Sequence, residues 1–353
     1  MPLLFTSAIA LLVLQAHGAT VCTRSINIGF DVNQVSNLAS SRAKSNWEWG
    51  TYAQTLLELQ DPFVSVFSDT AFPNGGIPKQ TTAGTTYAKR YIRTSGNTLT
   101  AAGDVAAILL GQSDSSTYSA AATRQVNELL TKVPRYSNIA ISHRYDATML
   151  WSDFIYMVPP TLAYQAVAVK DQALLREAVN QISLYRDALQ DRSTGLWRHI
   201  VGSRTDAGAW STGNGWVLGG IARVLATIKH WPTSSTWATE QQRLITGLLR
   251  NYISTSSTFP EAAGTAMIAA NIYRFAVLAP DVFAKSNYLT WADAARAAVV
   301  KSIGSDGVLR PVINPYKYLE NSPYGDTSPE AQDFAVLLYV AYRDCICFGH
   351  CKG

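Results

Sequence analysis

Apolar residues recur at helical spacing over most of the chain. Tyr118, Ala122, Val126, Leu129, Leu130 and Val133 mark one face. Leu244, Ile245, Leu248, Leu249, Tyr252 and Ile253 mark a second, and Leu289, Ala292, Ala295, Val299 and Ile303 a third. The same spacing predicts helices near 46–60, 84–95, 99–111, 151–168, 170–190, 215–230 and 264–278. A last helix starts at Thr327-Ser328-Pro329-Glu330. With Thr327 as cap, Glu330 completes a capping box; with Ser328 as cap, Pro329 takes the first helical position. That helix runs through Phe334, Leu337, Leu338 and Tyr342. Alternating strand patterns are scarce. Clusters such as Phe72-Pro73-Asn74-Gly75-Gly76 and Asp191-Arg192-Ser193-Thr194-Gly195 separate the helices.

About a dozen helices without charged heptads exclude a coiled coil and predict stacked helical hairpins, open as a solenoid or closed as a barrel. Several are apolar nearly all round: Ile155 to Val169 contains only Gln165 as a strongly polar side chain. Such a helix is buried on most sides, as the inner ring of a toroid would be. Polar residues near the ends of inner helices would then face a central cleft.

The N-terminus adds a compartment. Leu3 to Leu14 is almost entirely apolar and meets small residues at Ala16, Gly18 and Ala19. This is the pattern of a secretory signal peptide over residues 1–19, too short to span a bilayer, followed by a single domain over 20–353. The segment lacks the usual Lys or Arg before its apolar run. All four cysteines, Cys22, Cys345, Cys347 and Cys351, lie in the mature part and predict disulfides, with three pairings open. Any bridge from Cys22 would tie the N-terminus to the C-terminal tail. A zinc site at Cys345, Cys347, His350 and Cys351 fits no familiar spacing, so no metal and no cofactor is expected. A secreted, extracellular monomer without membrane contact is the expectation. Net charge is +4, from 29 basic and 25 acidic residues, with no basic cluster suited to nucleic acid. The 9 Trp and 17 Tyr suit either cores or sugar stacking.

Three blocks carry candidate chemistry. In His143-Arg144-Tyr145-Asp146-Ala147-Thr148-Met149-Leu150-Trp151-Ser152-Asp153-Phe154, Asp153 opens a strongly apolar helix. It is either an N-cap or an acid/base. If the helix begins early enough, Met149, Asp153 and Met157 share a face, and a carboxyl between Trp and Met would be partly desolvated. The second block, Gly195-Leu196-Trp197-Arg198-His199, brings a Trp and a His to a helix edge. The third, Trp210-Ser211-Thr212-Gly213-Asn214-Gly215-Trp216, is either a tight turn with packed Trp or a sugar platform that glycines let a ligand approach. No nucleophile elbow, P-loop, His-Glu-x-x-His helix or dinucleotide fingerprint is present.

In order and spacing these blocks, with Trp47-x-Trp49, Gly264-Thr265-Ala266 and Ser328-Pro329-Glu330-Ala331-Gln332, resemble the unsaturated glycuronyl hydrolases of glycoside hydrolase families 105 and 88. The pattern is nearest the unsaturated rhamnogalacturonyl hydrolases. The resemblance implies an all-α (α/α)6 barrel of six helical hairpins. It also implies a hydrolase of plant cell-wall-type oligosaccharides that removes a terminal unsaturated uronic acid by hydrating its C4=C5 bond. Asp153 would be the catalytic acid/base. Trp49, Asp104, His143, Arg144, Trp151, Met157, His199, Trp210, Thr212, Asn214 and Trp216 would line the substrate cleft. One position departs: Thr212 stands where the family has an Arg suited to a carboxylate. Either Arg144, Arg198 or Arg204 supplies that charge, or the substrate differs. A basic group facing Thr212 would favour an anionic substrate, and an apolar or acidic one would count against it. Two other readings compete: a glycosidase of saturated glycosides with two carboxylates, Asp104 or Asp146 partnering Asp153, and a non-catalytic sugar-binding barrel.

Overall fold

A computed structural model describes residues 22–92, 116–246, 259–317, 320 and 322–353. The expected leader, the expected helix at 99–111, Asp104 and the whole stretch from Leu248 to Ile253 lie outside the described residues. Among the described residues there are twelve helices. They are α1 (Val32–Arg42), α2 (Asn46–Gln60), α3 (Ala83–Ala88), α4 (Ser116–Thr131), α5 (Phe154–Val169), α6 (Gln172–Leu189), α7 (Ser211–His230), α8 (Ala238–Thr246), α9 (Ala262–Leu278), α10 (Pro280–Phe283), α11 (Ser286–Ser302) and α12 (Pro329–Cys347). None of them is long and apolar enough to cross a membrane.

The fold is an all-α barrel of helical hairpins. Five inner helices pack in series: α2 on α12, α12 on α9, α9 on α7 and α7 on α5. Outer helices lie against them, α1 on α12, α3 on α2, α4 and α6 on α5, α8 on α7 and α11 on α9. Burial follows composition. Every residue from Phe154 to Val167 in α5 is buried, and every residue from Thr212 to Ile228 in α7. The outer α6 buries one stripe, Leu174, Leu175, Ala178, Val179, Ile182, Tyr185 and Leu189. The inner helices approach closely: a Cβ at Gly220 in α7 would lie 1.9 Å from the Ile155 carbonyl oxygen of α5. Only glycine permits that crossing.

The helix starts are set by capping. Ser328 caps α12, its Oγ accepting from Ala331 N at 3.3 Å, with Pro329 first in the helix. Glu48 closes the start of α2 by accepting from Lys44 N and Ser45 N at 2.7 and 2.8 Å. Because inner and outer helices alternate in direction, the inner helices open their N-termini at one mouth.

One local expectation is corrected. The predicted helix at 151–168 begins at Phe154, because Met149–Trp151 forms a strand, β1, paired antiparallel with β2 (Ile200–Gly202). Met149 therefore does not share a helical face with Asp153 and Met157. The strand pair instead lays the block at 143–154 against the block at 195–202: Ser152 N donates to the His199 carbonyl at 2.9 Å.

The cysteines pair as Cys22–Cys347 and Cys345–Cys351, and the first ties the start of the described chain to the end of α12. It spans 325 residues of sequence, so it constrains a large unfolded loop. A Cys22→Ala/Cys347→Ala variant is expected to lose about 2–4 kcal/mol of stability. A reversible denaturant titration checks this, and an unchanged midpoint would contradict it.

Candidate active site

The mouth of the inner ring carries the polar residues that the core excludes. Asp153 sits at the N-cap position of α5, yet its side chain makes no capping bond. Its carboxyl, 16% exposed, accepts from Ser152 Oγ at 3.2 Å, and the nearer oxygen lies 3.8 Å from His199 Nε2. The acid at the start of α5 is thus turned toward the mouth rather than onto its own helix.

Rings wall it in. His143 stacks on Trp151 at 5.0 Å and 17°. Trp151 meets His199 edge-on at 5.5 Å, and His199 leans on Trp210 at 4.5 Å. His199 is 1% exposed, with Nδ1 3.0 Å from Asp206 Oδ2. Gly213 lets this cluster close, since a Cβ there would lie 2.4 Å from Ser152 Oγ and 2.9 Å from the Trp210 ring. Burial pushes the His143 imidazole down to about 4; Asp153 pulls it up, and Arg144 and His199 add to the lowering. His143 is therefore neutral in mildly acid solution, and its NMR titration is expected near pH 4. Its folded value lies below the ordinary 6.5, so its contribution to stability is lost progressively as pH falls from 6.5 toward 4. A midpoint near 6.5 in the folded protein would contradict this.

A second layer fixes depth. The rings of Tyr156 and Trp216 lie 4.4 Å apart, and those of Trp216 and Phe334 4.6 Å apart, so α5, α7 and α12 meet at one level. One turn nearer the mouth on these helices stand Asp153, Thr212 and Glu330. Glu330 is 4% exposed. Burial pushes its carboxyl well above the usual range, the negative charges of Asp153, Glu48 and Glu261 push it further, and a hydrogen bond from Trp47 opposes them.

The group facing Thr212 is acidic. Thr212 Oγ1 donates to Glu261 Oε2 at 3.3 Å, and Ser211 Oγ donates to the same oxygen at 2.9 Å. Glu261 is also the cap of α9, accepting from Ala263 N at 3.0 Å and Gly264 N at 2.6 Å, and it accepts from Ile313 N at 3.3 Å. Burial raises this carboxyl, and the bond from Gly264 leads the opposing effects. Cationic side chains stand on the exposed rim instead. Arg144 Nε is paired with Asp146 Oδ1 at 3.1 Å. Its hydrogen bond is the leading cause that holds the Asp146 carboxyl below its ordinary value, and Arg204 adds a smaller pull. Arg198 is exposed as well.

The remaining expected cleft residues divide. His143, Trp151, His199 and Trp210 join Asp153 at the mouth, Thr212 stands in the same layer as Asp153, bonded to Glu261, and Arg144 is exposed. Asn214 and Trp216, expected to touch substrate, have other places. Asn214 is 0% exposed; its Oδ1 accepts from Trp197 N at 3.0 Å, and its Nδ2 donates to Trp197 O at 3.0 Å and Trp210 O at 2.8 Å. It clamps the loop that carries His199, because a primary amide matches a backbone N–H and C=O. Trp216 is buried in the ring layer beneath, and Met157 is buried in the core. Trp49 stacks on Tyr91 at 4.4 Å and donates to Ala43 O, a packing role on the outer side of α2. Asp104 lies outside the described residues. Sequence reasoning assigned no place in the site to Asp206, Glu261 or Glu330, and gave Glu330 only a capping-box role. The last stood inside a matched motif, and an acid in the first turn of a helix reads as a cap.

The family model described as Glycosyl Hydrolase Family 88 matches residues 76–340. No curated protein matches the chain. Among solved structures, it is similar to a possible member of the GH105 family from Klebsiella pneumoniae subsp. pneumoniae MGH 78578. That match has a TM-score of 0.70 and 15% identity, and covers 91% of this chain and 96% of the other. It is similar to a glycosyl hydrolase family 88 protein from Bacteroides vulgatus, with TM-score 0.56, 14% identity and coverages of 89% and 98%. The GH76A alpha-1,6-mannanase from Salegentibacter sp. HEL1_6 shares the fold too, with TM-score 0.58, 10% identity and coverages of 89% and 98%.

Proposed function

The chain belongs to glycosyl hydrolase family 88, and from that premise we propose that this carbohydrate-active hydrolase removes an unsaturated uronic acid from the non-reducing end of oligosaccharides. The observation that carries the reading is the Asp153 carboxyl, open to the mouth and not used for capping. In the proposed reaction Asp153 gives its proton to C4 of the C4=C5 bond. A water oxygen bonds to C5, and that water's proton returns to the carboxylate. The hemiketal at C5 then opens to a ketone, its hydroxyl proton passing to the ring oxygen; the hemiacetal left at C1 collapses to an aldehyde, the bond from C1 to the glycosidic oxygen breaks, and that proton leaves with the released alcohol. A single carboxyl that donates and then accepts suffices. Trp151 and Trp210 offer rings for the sugar faces.

The uronate carboxylate has to be read away from Thr212, whose neighbour is Glu261. The inner-helix N-termini favour an anion, and the exposed Arg144 and Arg204, which both act on Asp146, are the cations near the block at 143–154. We take the protein to be exported as a monomer, which its two disulfides suit. Plant cell-wall fragments left by lyases are the substrate class that fits. The test is a panel of unsaturated oligogalacturonides and rhamnogalacturonides, followed by loss of the double-bond absorbance. Turnover of these substrates supports the reading, and none across the panel overturns it.

A second reading is favoured by Glu330 and by the acidic wall at Thr212. Glu330, in the same layer as Asp153 and with a carboxyl that burial raises, would give the pair of carboxyls that hydrolysis of saturated glycosides needs. Release of saturated sugars with unsaturated substrates untouched would establish it.

A further inference from the structure

We propose that Asp206 is a positioning residue of this site, fixing the tautomer of His199 so that a ring lone pair, not an N–H, faces Asp153. The inference rests on the reading of Asp153 as the acid/base.

The geometry is a chain of three groups. Asp206 Oδ2 lies 3.0 Å from His199 Nδ1, and His199 Nε2 lies 3.8 Å from Asp153 Oδ2. A carboxylate can only accept, so Nδ1 carries the hydrogen. In the neutral ring Nε2 is then bare and directed at Asp153. Asp206 cannot easily turn away. Its other oxygen accepts from Gly208 N at 2.9 Å, and its backbone exchanges hydrogen bonds with Ile200 at 2.9 and 3.0 Å. His199 N donates to Gly208 O at 2.8 Å, so the same turn holds ring and carboxylate together. Trp151 and Trp210 contact the ring and fix its plane.

The consequence lies at Asp153. A lone pair there can accept a hydrogen bond from the Asp153 carboxyl while that group carries the proton for the substrate carbon. An N–H there would instead donate to the carboxylate and compete with the substrate for it. Ser152, His143, whose imidazole burial pushes down to about 4, and Glu330, whose carboxyl burial raises, also lie about Asp153, and none of these three supplies a fixed positive charge.

Asp206→Asn tests this with no change of size. Gly208 N–H demands the amide oxygen, which leaves the amide NH2 facing Nδ1. Nδ1 must then accept, and the ring hydrogen moves to Nε2, toward Asp153. Nitrogen-15 NMR of the histidines is expected to find His199 protonated on Nδ1 in the native protein and on Nε2 in the variant. The variant's kcat should fall about 100-fold or more, with KM changed only a few-fold. Asp206→Ala lacks both acceptor and donor, and added formate should restore part of its kcat, which a merely structural loss would not allow. A hydrogen on Nε2 in the native protein would overturn the proposal. So would a kcat for Asp206→Asn within about threefold of native, or an Asp206→Ala variant that formate leaves unchanged. The NMR result does not depend on the substrate. If unsaturated substrates are not turned over, the function fails while the role of Asp206 is still decided.

Discussion

Asp153→Asn is expected to fold with native helical content and melting temperature and to lose about 10²–10⁴-fold in kcat. The two halves of this expectation have separate causes. Stability is kept because the carboxyl makes no capping bond to α5, so the usual cost of losing a helix cap does not apply. Asn also retains an oxygen that can accept from Ser152 Oγ. Activity falls because an amide can neither give a proton to carbon nor take one from water. KM should change little, since the substrate surface of the site is the same. A large drop in melting temperature would return Asp153 to a structural role. Near-native kcat would remove it from the chemistry.

The largest expected effect on stability lies at the other end of the barrel. Glu58 near the end of α2 is buried between Arg223 of α7 and Arg274 of α9, at 2.5 and 2.8 Å. Arg274 also pairs with Asp344 of α12, which binds Arg343 Nε at 3.0 Å. Arg343 donates in turn to the carbonyls of Glu58 and Leu59 at 3.0 and 3.2 Å. Four inner helices are thus tied at their C-terminal halves by three guanidiniums and two carboxylates. Glu58→Gln keeps the shape and removes one of the two negative charges. Arg223 then loses its counter-ion and Arg274 is left with Asp344 alone, where water cannot replace the missing charge, a cost of about 3–5 kcal/mol. Denaturant titration checks this, and a loss below about 1 kcal/mol would show that water reaches the cluster. Asp146→Asn, in the exposed pair with Arg144, is the control and should leave the midpoint unchanged.

The sequence disclosed the helices that bury themselves most strongly. The helix at 46–60 appears at those bounds, and the all-apolar run after Ile155 is an inner helix, because only a fully surrounded helix tolerates apolar residues on every side. Helix α1 was not foreseen: Val32–Arg42 buries only Val35, Ser36 and Ala39, too few to set up a stripe. The strands β1 and β2 are three residues each, too short for an alternating pattern to register.

At the site, two acids at helix starts show where sequence reasoning stops. Asp153 and Glu261 both precede an inner helix. Glu261 caps its helix and Asp153 does not, and nothing in the local sequence separates them. Asn214 misled for a related reason. A polar residue among glycines suits ligand contact, but the loop folded back on it is distant in sequence and invisible to local reading. Asp206 went unnoticed because its value lies only in its distance to His199.

The measurement that tests the central claim most directly is turnover of an unsaturated uronyl disaccharide in heavy water, with the product read by NMR. If Asp153 protonates C4, the vinyl signal disappears and the product carries one deuterium at C4, with the aglycone released in equal amount. Asp153→Asn should do neither. Aglycone release from a saturated glycoside, with the unsaturated disaccharide recovered intact and free of deuterium, would contradict the account.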